Sequence, residues 1–143
     1  MRRRGFVPEV DEDATVGKIG PDFDNSMTLS NSEVRWILDE KTRVEGTFAK
    51  KCKAQIATER NLKPFDNFKT EESVKVMRSF FSEIPLFDFE ITQLANLSPD
   101  DVQEARALVP SINVLYGGRE RSITDDELND VLIKIQSAES IVE

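Results

Sequence analysis

Two pairs of neighbouring carboxylates, Asp100-Asp101 and Asp125-Asp126, are the residues that could first suggest acid–base or metal chemistry. A cation site would need further ligands converging on them, and neither stretch has the spacing of a calcium-binding loop. Each pair instead follows a helix-start signal, where carboxylates stabilise the positive end of the helix dipole. We therefore interpret both pairs as residues of helix N-termini.

Cys52 is the single thiol that could act as a nucleophile. The chain has no histidine, so the commonest general base and the commonest zinc ligand are both missing. Because Cys52 repeats at helical spacing with Phe48 and Ile56, we expect it to be buried in a core. Gly117-Gly118 fits no phosphate-binding fingerprint and predicts a turn. The sequence thus predicts no catalytic residue, no cofactor and no metal.

Basic side chains are the third candidate, because they can bind phosphates. Residues 41–69 contain eight Lys or Arg against three Asp or Glu, whereas residues 99–143 contain four against ten. The formal net charge of −8 disfavours a general nucleic-acid binder. Two interpretations stay open for the basic stretch: a solvated helix face, or a nucleic-acid contact through Lys50, Lys53 and Arg60.

Length and cysteine content bound the class of protein. A chain of 143 residues fits one domain with an additional arm. One cysteine cannot form a disulfide within the chain, which favours a reducing, intracellular compartment. No apolar run approaches the ~20 residues of a membrane span, so we expect no membrane contact.

Capping signals divide the chain into the helices that must carry these residues. The segments 30–33 (Ser-Asn-Ser-Glu) and 124–127 (Thr-Asp-Asp-Glu) are capping boxes, and Thr70 and Ser98 are further N-cap candidates. Together with apolar residues at helical spacing they predict six helices, at about 31–43, 46–62, 71–82, 87–97, 99–109 and 125–138.

The segment before the first helix has too few apolar residues to build a core. Residues 14–19, centred on Val16, could form a short extended strand that has no mate within the chain. Such a strand is either disordered or adds to the edge of a partner's sheet.

The first helix has apolar residues on two sides. Val34, Ile37 and Leu38 share one face, and Trp36 lies almost opposite them. A helix of this kind is often clamped between two bodies. The alternative is that Trp36 lies flat on the surface of its own chain.

The order of several short motifs resembles that of the RNA polymerase II subunit 4 family. Their order and spacing together carry the resemblance, which extends from about residue 10 to residue 136, and no single motif would suffice. The motifs are Gly-Pro-Asp-Phe at 20–23, Leu-Ser-Asn-Ser-Glu-Val at 29–34, Phe-Asp-Asn-Phe-Lys at 65–69, the segments 87–97 and 104–111, and Asp-Asp-Glu-Leu at 125–128.

The resemblance implies an all-α fold with an N-terminal arm (1–28), an interface helix (29–45) and a five-helix HRDC-like domain (46–143). It implies a non-catalytic subunit in the nucleus, because the catalytic centre of such polymerases lies in their two largest subunits. The implied partner is polymerase subunit 7, with which members form the stalk beside the RNA exit channel. Roles in initiation, in handling nascent RNA and in coupling to messenger RNA export and decay are implied as well.

Three places are expected to contact subunit 7: the arm, the first helix and the end of the fourth helix. Two other readings stay open, namely a free-standing HRDC-like nucleic-acid-binding module, and the equivalent subunit of polymerase I or III or of plant polymerase IV or V. The expected interface residues are Val16, Ile19, Phe23, Leu29, Val34, Trp36, Ile37, Leu38, Leu94 and Leu97.

Overall fold

The computed structural model describes residues 13, 15, 18, 20–23, 26–46, 50–80, 86–113 and 123–141. These residues form six α-helices and three short 3-10 turns, so the predicted all-α fold class is confirmed. No α-helix among them is both long and apolar enough to cross a membrane. The helices are α1 (Asn31–Glu45), α2 (Lys53–Leu62), α3 (Glu71–Ser79), α4 (Asp88–Leu97), α5 (Val102–Leu108) and α6 (Asp125–Glu139).

Local capping sets most of the helix starts. The hydroxyls of Ser30, Thr70 and Thr124 each accept a hydrogen bond from the backbone N–H three residues later, and α1, α3 and α6 begin directly after them, as predicted. Helix α5 begins later than predicted because Asp101 is its N-cap instead of Ser98. Ser98 ends α4 in the left-handed conformation, with φ 48°.

The predictions for α2 and its cysteine are wrong. Helix α2 begins at Lys53 rather than at residue 46, since Cys52 has an extended backbone and is its N-cap. The Cys52 sulfur accepts a hydrogen bond from the Gln55 N–H at 3.4 Å and the residue is exposed, so Cys52 is no core thiol. Helix α2 packs through Gln55 and Leu62 instead, which turns Ile56 towards solvent.

The strand expected in the arm is also corrected for the residues that can be described there. Asp13 and Lys18 form an isolated antiparallel bridge, with N···O distances of 2.8 and 2.9 Å. The N–H and hydroxyl of Thr15 both donate to the Asp13 carboxylate, a local turn contact. Asp13 directly precedes the predicted strand 14–19 and Lys18 belongs to it, so a bridge between the two is incompatible with one extended strand through these positions.

The buried core comes from the second half of the chain. It is formed by α3, α4, α5 and α6 with their connections, and no residue of α1 or α2 belongs to it. Helices α1 and α2 therefore pack on the outside of this core. Its buried members are Phe68, Val74, Met77, Ile91, Leu94, Ala95, Ala105, Val109, Ile112, Ile123, Leu128, Val131, Leu132, Ile135 and Ala138.

Candidate partner interface

One carboxylate joins the start of α1 to the end of α3. Glu33 accepts a hydrogen bond from the Ser30 N–H at 2.7 Å, which completes the capping box of α1. The Arg78 guanidinium donates to both Glu33 oxygens at 2.6 Å and to the Thr28 carbonyl oxygen at 2.7 Å. Because Glu33 is buried, water screens this ion pair little. The first turn of α1 is thereby held in place on α3.

A second set of polar contacts joins the same end of α1 to α4. The Asn31 N–H donates to the Asn96 side-chain oxygen at 2.8 Å. The hydroxyls of Thr28 and Thr92 share a hydrogen bond of 2.8 Å. Both contacts lie at the N-terminal end of α1, so this end is positioned by two different helices.

The loop before α3 holds the other side of α1. The Phe68 N–H donates to the buried Ser32 hydroxyl at 3.1 Å. Arg35 forms an ion pair with Asp66, with Nε and Oδ2 2.8 Å apart, and donates to the carbonyl oxygens of Phe68 and Lys69. Helix α1 is thus a rigid element, although it adds nothing to the apolar core.

Between α1 and α3 lies a groove of about 260 Å³, which we call the α1–α3 groove. Its walls include Leu29 and Ile37, which are 45% and 43% exposed, so a strip of apolar surface faces outward. Lys75 and Glu71 pair with each other at the α3 side. A cavity of this size suits an apolar anchor side chain of a partner. The lining residues are Leu29, Glu33, Trp36, Ile37, Glu71, Val74, Lys75 and Arg78.

The two expectations for Trp36 can be compared with its position. Trp36 is partly buried and lines the α1–α3 groove beside Val74. It therefore rests on its own chain, while Val34 and Leu38 are also partly buried. Whether a partner covers the groove side of α1 stays a prediction.

Leu94 and Leu97, the two interface residues expected near the end of α4, differ in exposure. Leu94 is 0% exposed and belongs to the core, whereas Leu97, in the last position of α4, is 50% exposed. Leu94 is therefore removed from the expected interface, because it has no surface to offer. Leu97 keeps its place beside Asn96, the residue that binds the start of α1.

The remaining expected interface residues belong to the arm. Phe23 is exposed in a short 3-10 turn, and Met27 close to it is exposed as well. Val16 and Ile19 lie outside the described residues. The apolar surface of the arm thus leads along the chain towards Leu29 and the groove.

The basic residues singled out in the sequence point to solvent. Lys50, Lys53 and Arg60 are exposed, and none of them forms an ion pair with another residue that the structure describes. Lys51 differs, since its ammonium group lies 2.8 Å from the Glu59 carboxylate.

The acidic pairs take structural positions. Asp101 accepts a hydrogen bond from the Glu104 N–H at 2.8 Å as the N-cap of α5, and Asp125 and Asp126 lie in the first turn of α6. Within the described ranges, no group of three or more His, Cys, Asp or Glu is placed to hold a metal ion. The helix N-terminus interpretation is confirmed for these three carboxylates.

Sequence reasoning did not find the Glu33–Arg78 and Arg35–Asp66 pairs. Their partners are 45 and 31 residues apart along the chain, counting from residue 33 to 78 and from 35 to 66. Helical periodicity cannot indicate a contact at such a separation. The one local signal was Glu33 itself, which the capping box had already explained.

The sequence model of the RNA polymerase Rpb4 family matches residues 28–139, a range that contains all six helices. This chain belongs to the RNA polymerase Rpb4 family. The predicted resemblance is thereby confirmed. The Rpb4 match begins at Thr28, whose carbonyl oxygen accepts a hydrogen bond from Arg78.

Individual relatives are similar over most of the chain. "DNA-directed RNA polymerase II subunit 4" of Arabidopsis thaliana is 31% identical over 128 residues, which cover 86% of this chain and 93% of that protein. The subunit rpb4 of Dictyostelium discoideum is 28% identical, covering 96% and 94%. The Schizosaccharomyces pombe subunit rpb4 is 29% identical, covering 71% and 78%. The Rpb4 likeness therefore extends over most of the length of proteins from a plant, an amoeba and a yeast.

Proposed function

We propose that this Rpb4-family chain is a non-catalytic subunit of nuclear RNA polymerase II that pairs with subunit 7 in the stalk beside the RNA exit channel. The names of the relatives, which are subunits 4 of that polymerase, support the assignment. Through subunit 7 the chain attaches to the polymerase core. It acts there in initiation and in handling nascent RNA by binding, with no chemistry of its own.

The observation that carries the proposal is the exposed apolar strip along α1. Leu29, which precedes α1, and Ile37 of α1 line the α1–α3 groove, and polar contacts fix the first turns of the helix. A preformed surface of this kind loses little conformational entropy on binding, which favours a stable complex. Phe23 and Leu97 are further exposed apolar residues of the proposed interface.

Co-expression with subunit 7 tests this function. Full-length chain is expected to co-elute with subunit 7 in size-exclusion chromatography, and Ile37→Asp is expected to weaken the pair by about tenfold or more, because a charge enters an apolar contact. Ile133→Asp is the matched control, since Ile133 is an exposed isoleucine on α6. Equal pairing by the two variants would remove α1 from the interface.

The arm is tested by a separate truncation. Deleting residues 1–25 keeps Thr28, whose carbonyl oxygen accepts from Arg78 of α3 and whose hydroxyl bonds to Thr92 of α4. We expect the shortened chain to fold and to pair with subunit 7 more weakly. If it pairs as tightly as the full chain, the arm does not contribute to the interface.

The proposal also places the protein in the nucleus, with exchange to the cytoplasm as the route to messenger RNA export and decay. A fluorescently tagged chain should accumulate in nuclei and should redistribute when subunit 7 is depleted. Uniform distribution in the presence of subunit 7 would argue against this part of the proposal.

Exposure of Lys50, Lys53 and Arg60 favours a second candidate, in which the chain contacts nucleic-acid phosphates. Contacts of this kind weaken steeply with salt because counterions are released on binding. Binding of single-stranded RNA across a salt series, repeated with the variant Lys50→Glu/Lys53→Glu/Arg60→Glu, measures this contact. Binding that is insensitive to both changes would exclude it.

A further inference from the structure

The outward face of α2 combines cations with exposed apolar side chains. Lys53, Ile56 and Arg60 follow each other at spacings of three and four residues, which places them on one side of the helix. Ile56 is 54% exposed, so an isoleucine stands in water between two cationic side chains. Phe65, in the 3-10 turn that directly follows α2, is exposed as well.

Helix α2 receives little support from the rest of the chain. Its ten residues supply nothing to the core, and its buried residues are Gln55 and Leu62. Leu62 is thus its one buried large apolar side chain, and the Gln55 side chain forms hydrogen bonds with Lys41 of α1 and with Glu59. Isolated helices shorter than about 12–15 residues are marginal in water, and most gain their stability by packing an apolar face. Ile56, the other large apolar residue of α2, points to solvent.

The two cations on this face, and Lys50 shortly before α2, are exposed to solvent. Lys50, Lys53 and Arg60 form no ion pair with any residue in the described part of the chain. The chain as a whole is acidic, with a net charge of −8. Because the acidic chain as a whole repels an acidic ligand, such a ligand binds only where local positive charge attracts it.

We infer that the outward face of α2 docks an acidic amphipathic segment of a protein partner, with its carboxylates on Lys53 and Arg60 and its apolar side on Ile56. The mixture of residues decides the class of ligand. Nucleic-acid phosphates would use the cations, but they would leave the half-exposed Ile56 in water. An amphipathic peptide buries Ile56 and neutralises the charges at once, as in helix-in-groove recognition.

This inference goes beyond the proposed pairing with subunit 7, because it uses a different surface. The α1–α3 groove lies on the side of α1 that faces α3, whereas the inferred contact needs the solvent side of α2. A subunit 7 complex can thus be intact while the α2 contact is absent, and the reverse. Each proposal can fail without the other.

The test measures binding of a labelled acidic peptide to the full chain by fluorescence anisotropy. The probe is a helix-forming peptide of Leu and Glu, about 18 residues long, with Leu at every third or fourth position. We expect saturable binding, weakened about tenfold by Lys53→Glu/Arg60→Glu and by Ile56→Ser. Lys53→Arg/Arg60→Lys keeps the charges and should bind like the unaltered chain.

Ile133→Ser is the matched control for Ile56→Ser, since Ile133 is 52% exposed on α6, outside this face. Circular dichroism checks that every variant is folded. Equal loss in both serine variants, or no saturable binding, would overturn the inference. Competition by single-stranded RNA would also overturn the inference if the RNA displaces the peptide and binds the Ile56→Ser variant as well as the unaltered chain. The site would then be a phosphate site. Concentration-dependent dimers abolished by Ile56→Ser would identify a second copy as the occupant and overturn it equally.

Discussion

Glu33 is the residue on which the position of α1 depends most. It closes the capping box at Ser30 and receives both N–H groups of the Arg78 fork. Two-point pairing of this kind fixes geometry as well as energy. Glu33 thus both caps α1 and pairs with Arg78, and it does so while buried.

Glu33→Ala should therefore destabilise the chain measurably. Removing the Glu33 carboxylate takes two charge-assisted hydrogen bonds from Arg78, and we expect the free energy of unfolding to fall by about 1–3 kcal/mol, as for hydrogen bonds to charged groups. Urea unfolding followed by circular dichroism measures it. Glu40→Ala removes the exposed pair with Arg43 and serves as the control. Equal effects of the two substitutions would contradict this role.

Leu94 and Leu97 test the correction made to the interface. Leu94→Ala should lower the free energy of unfolding by about 2–5 kcal/mol, because it leaves a cavity in the core. Leu97→Ala should change it by less than about 0.5 kcal/mol, as is usual at the surface. Urea midpoints of the two variants check the contrast. Similar values would mean that Leu94 is not the core residue described above.

Glu139 makes the chain sensitive to pH at the far end of α6. Burial raises the pKa of Glu139 above its usual range, and a hydrogen bond from the Ser98 hydroxyl opposes part of this rise. The folded state then binds the proton more tightly than the unfolded state. Ionised Glu139 consequently costs stability above its folded pKa, and this cost disappears below its unfolded pKa.

Glu139→Gln should stabilise the chain at neutral pH, since a neutral amide can still accept from Ser98 without a buried charge. The gain should shrink as the pH falls through the pKa range of Glu139. Thermal unfolding across a pH series measures it. Glu127→Gln is the opposite control, because hydrogen bonds from the Thr124 N–H and hydroxyl lower the pKa of Glu127. Its loss of stability should be greatest at neutral pH and fade in acid.

At the scale of elements, α2 differs from the other helices in how it begins. Its N-cap is a cysteine, whose sulfur is a weaker hydrogen-bond acceptor than a hydroxyl oxygen. Cys52→Ser should raise the free energy of unfolding by roughly 0.5 kcal/mol, given the strong N-cap preference for serine. Cys52→Ala should not raise it. Urea unfolding compares the three chains, and destabilisation by serine would restore the buried-thiol interpretation.

Local signals predicted some elements well and others poorly, for a physical reason. The capping boxes at Ser30 and Thr124 act within four residues, so α1 and α6 begin where the sequence indicates. The stripe through Cys52 and Ile56 was equally local, but which face of α2 is buried depends on where α1 lies. Contacts with distant segments, such as Arg78 with Glu33, are beyond the reach of periodicity.

The same limit explains what was found of the candidate interface. Apolar surface on α1 for a partner, as at Ile37, was predicted because Trp36 lies almost opposite the face of Val34, Ile37 and Leu38. The groove beside them could not be predicted, since its second wall is α3, which begins at Glu71. Leu94 was wrongly assigned to the interface, because a short motif at the end of a helix does not show which of its residues the core buries.

Across the whole molecule, stability and partner surface occupy different parts of the chain. The core cluster runs from Phe68 to Ala138, while six of the ten exposed large apolar side chains among the described residues precede Leu62. A protein divided in this way can keep its fold when its binding surface is altered. It also explains why so polar a chain, with 32% charged residues, still forms a compact bundle.

Deleting residues 1–25 should therefore separate the two properties. The urea midpoint of the shortened chain should match that of the full chain, because none of the described residues up to position 25 belongs to the core cluster and Thr28 is retained. Pairing with subunit 7 should weaken in the same preparation. A shorter deletion of residues 1–12 is the control, since it keeps the Asp13–Lys18 bridge. A large drop in the urea midpoint after removing residues 1–25 would show instead that the arm is part of the folded body, and that loss of pairing reports unfolding.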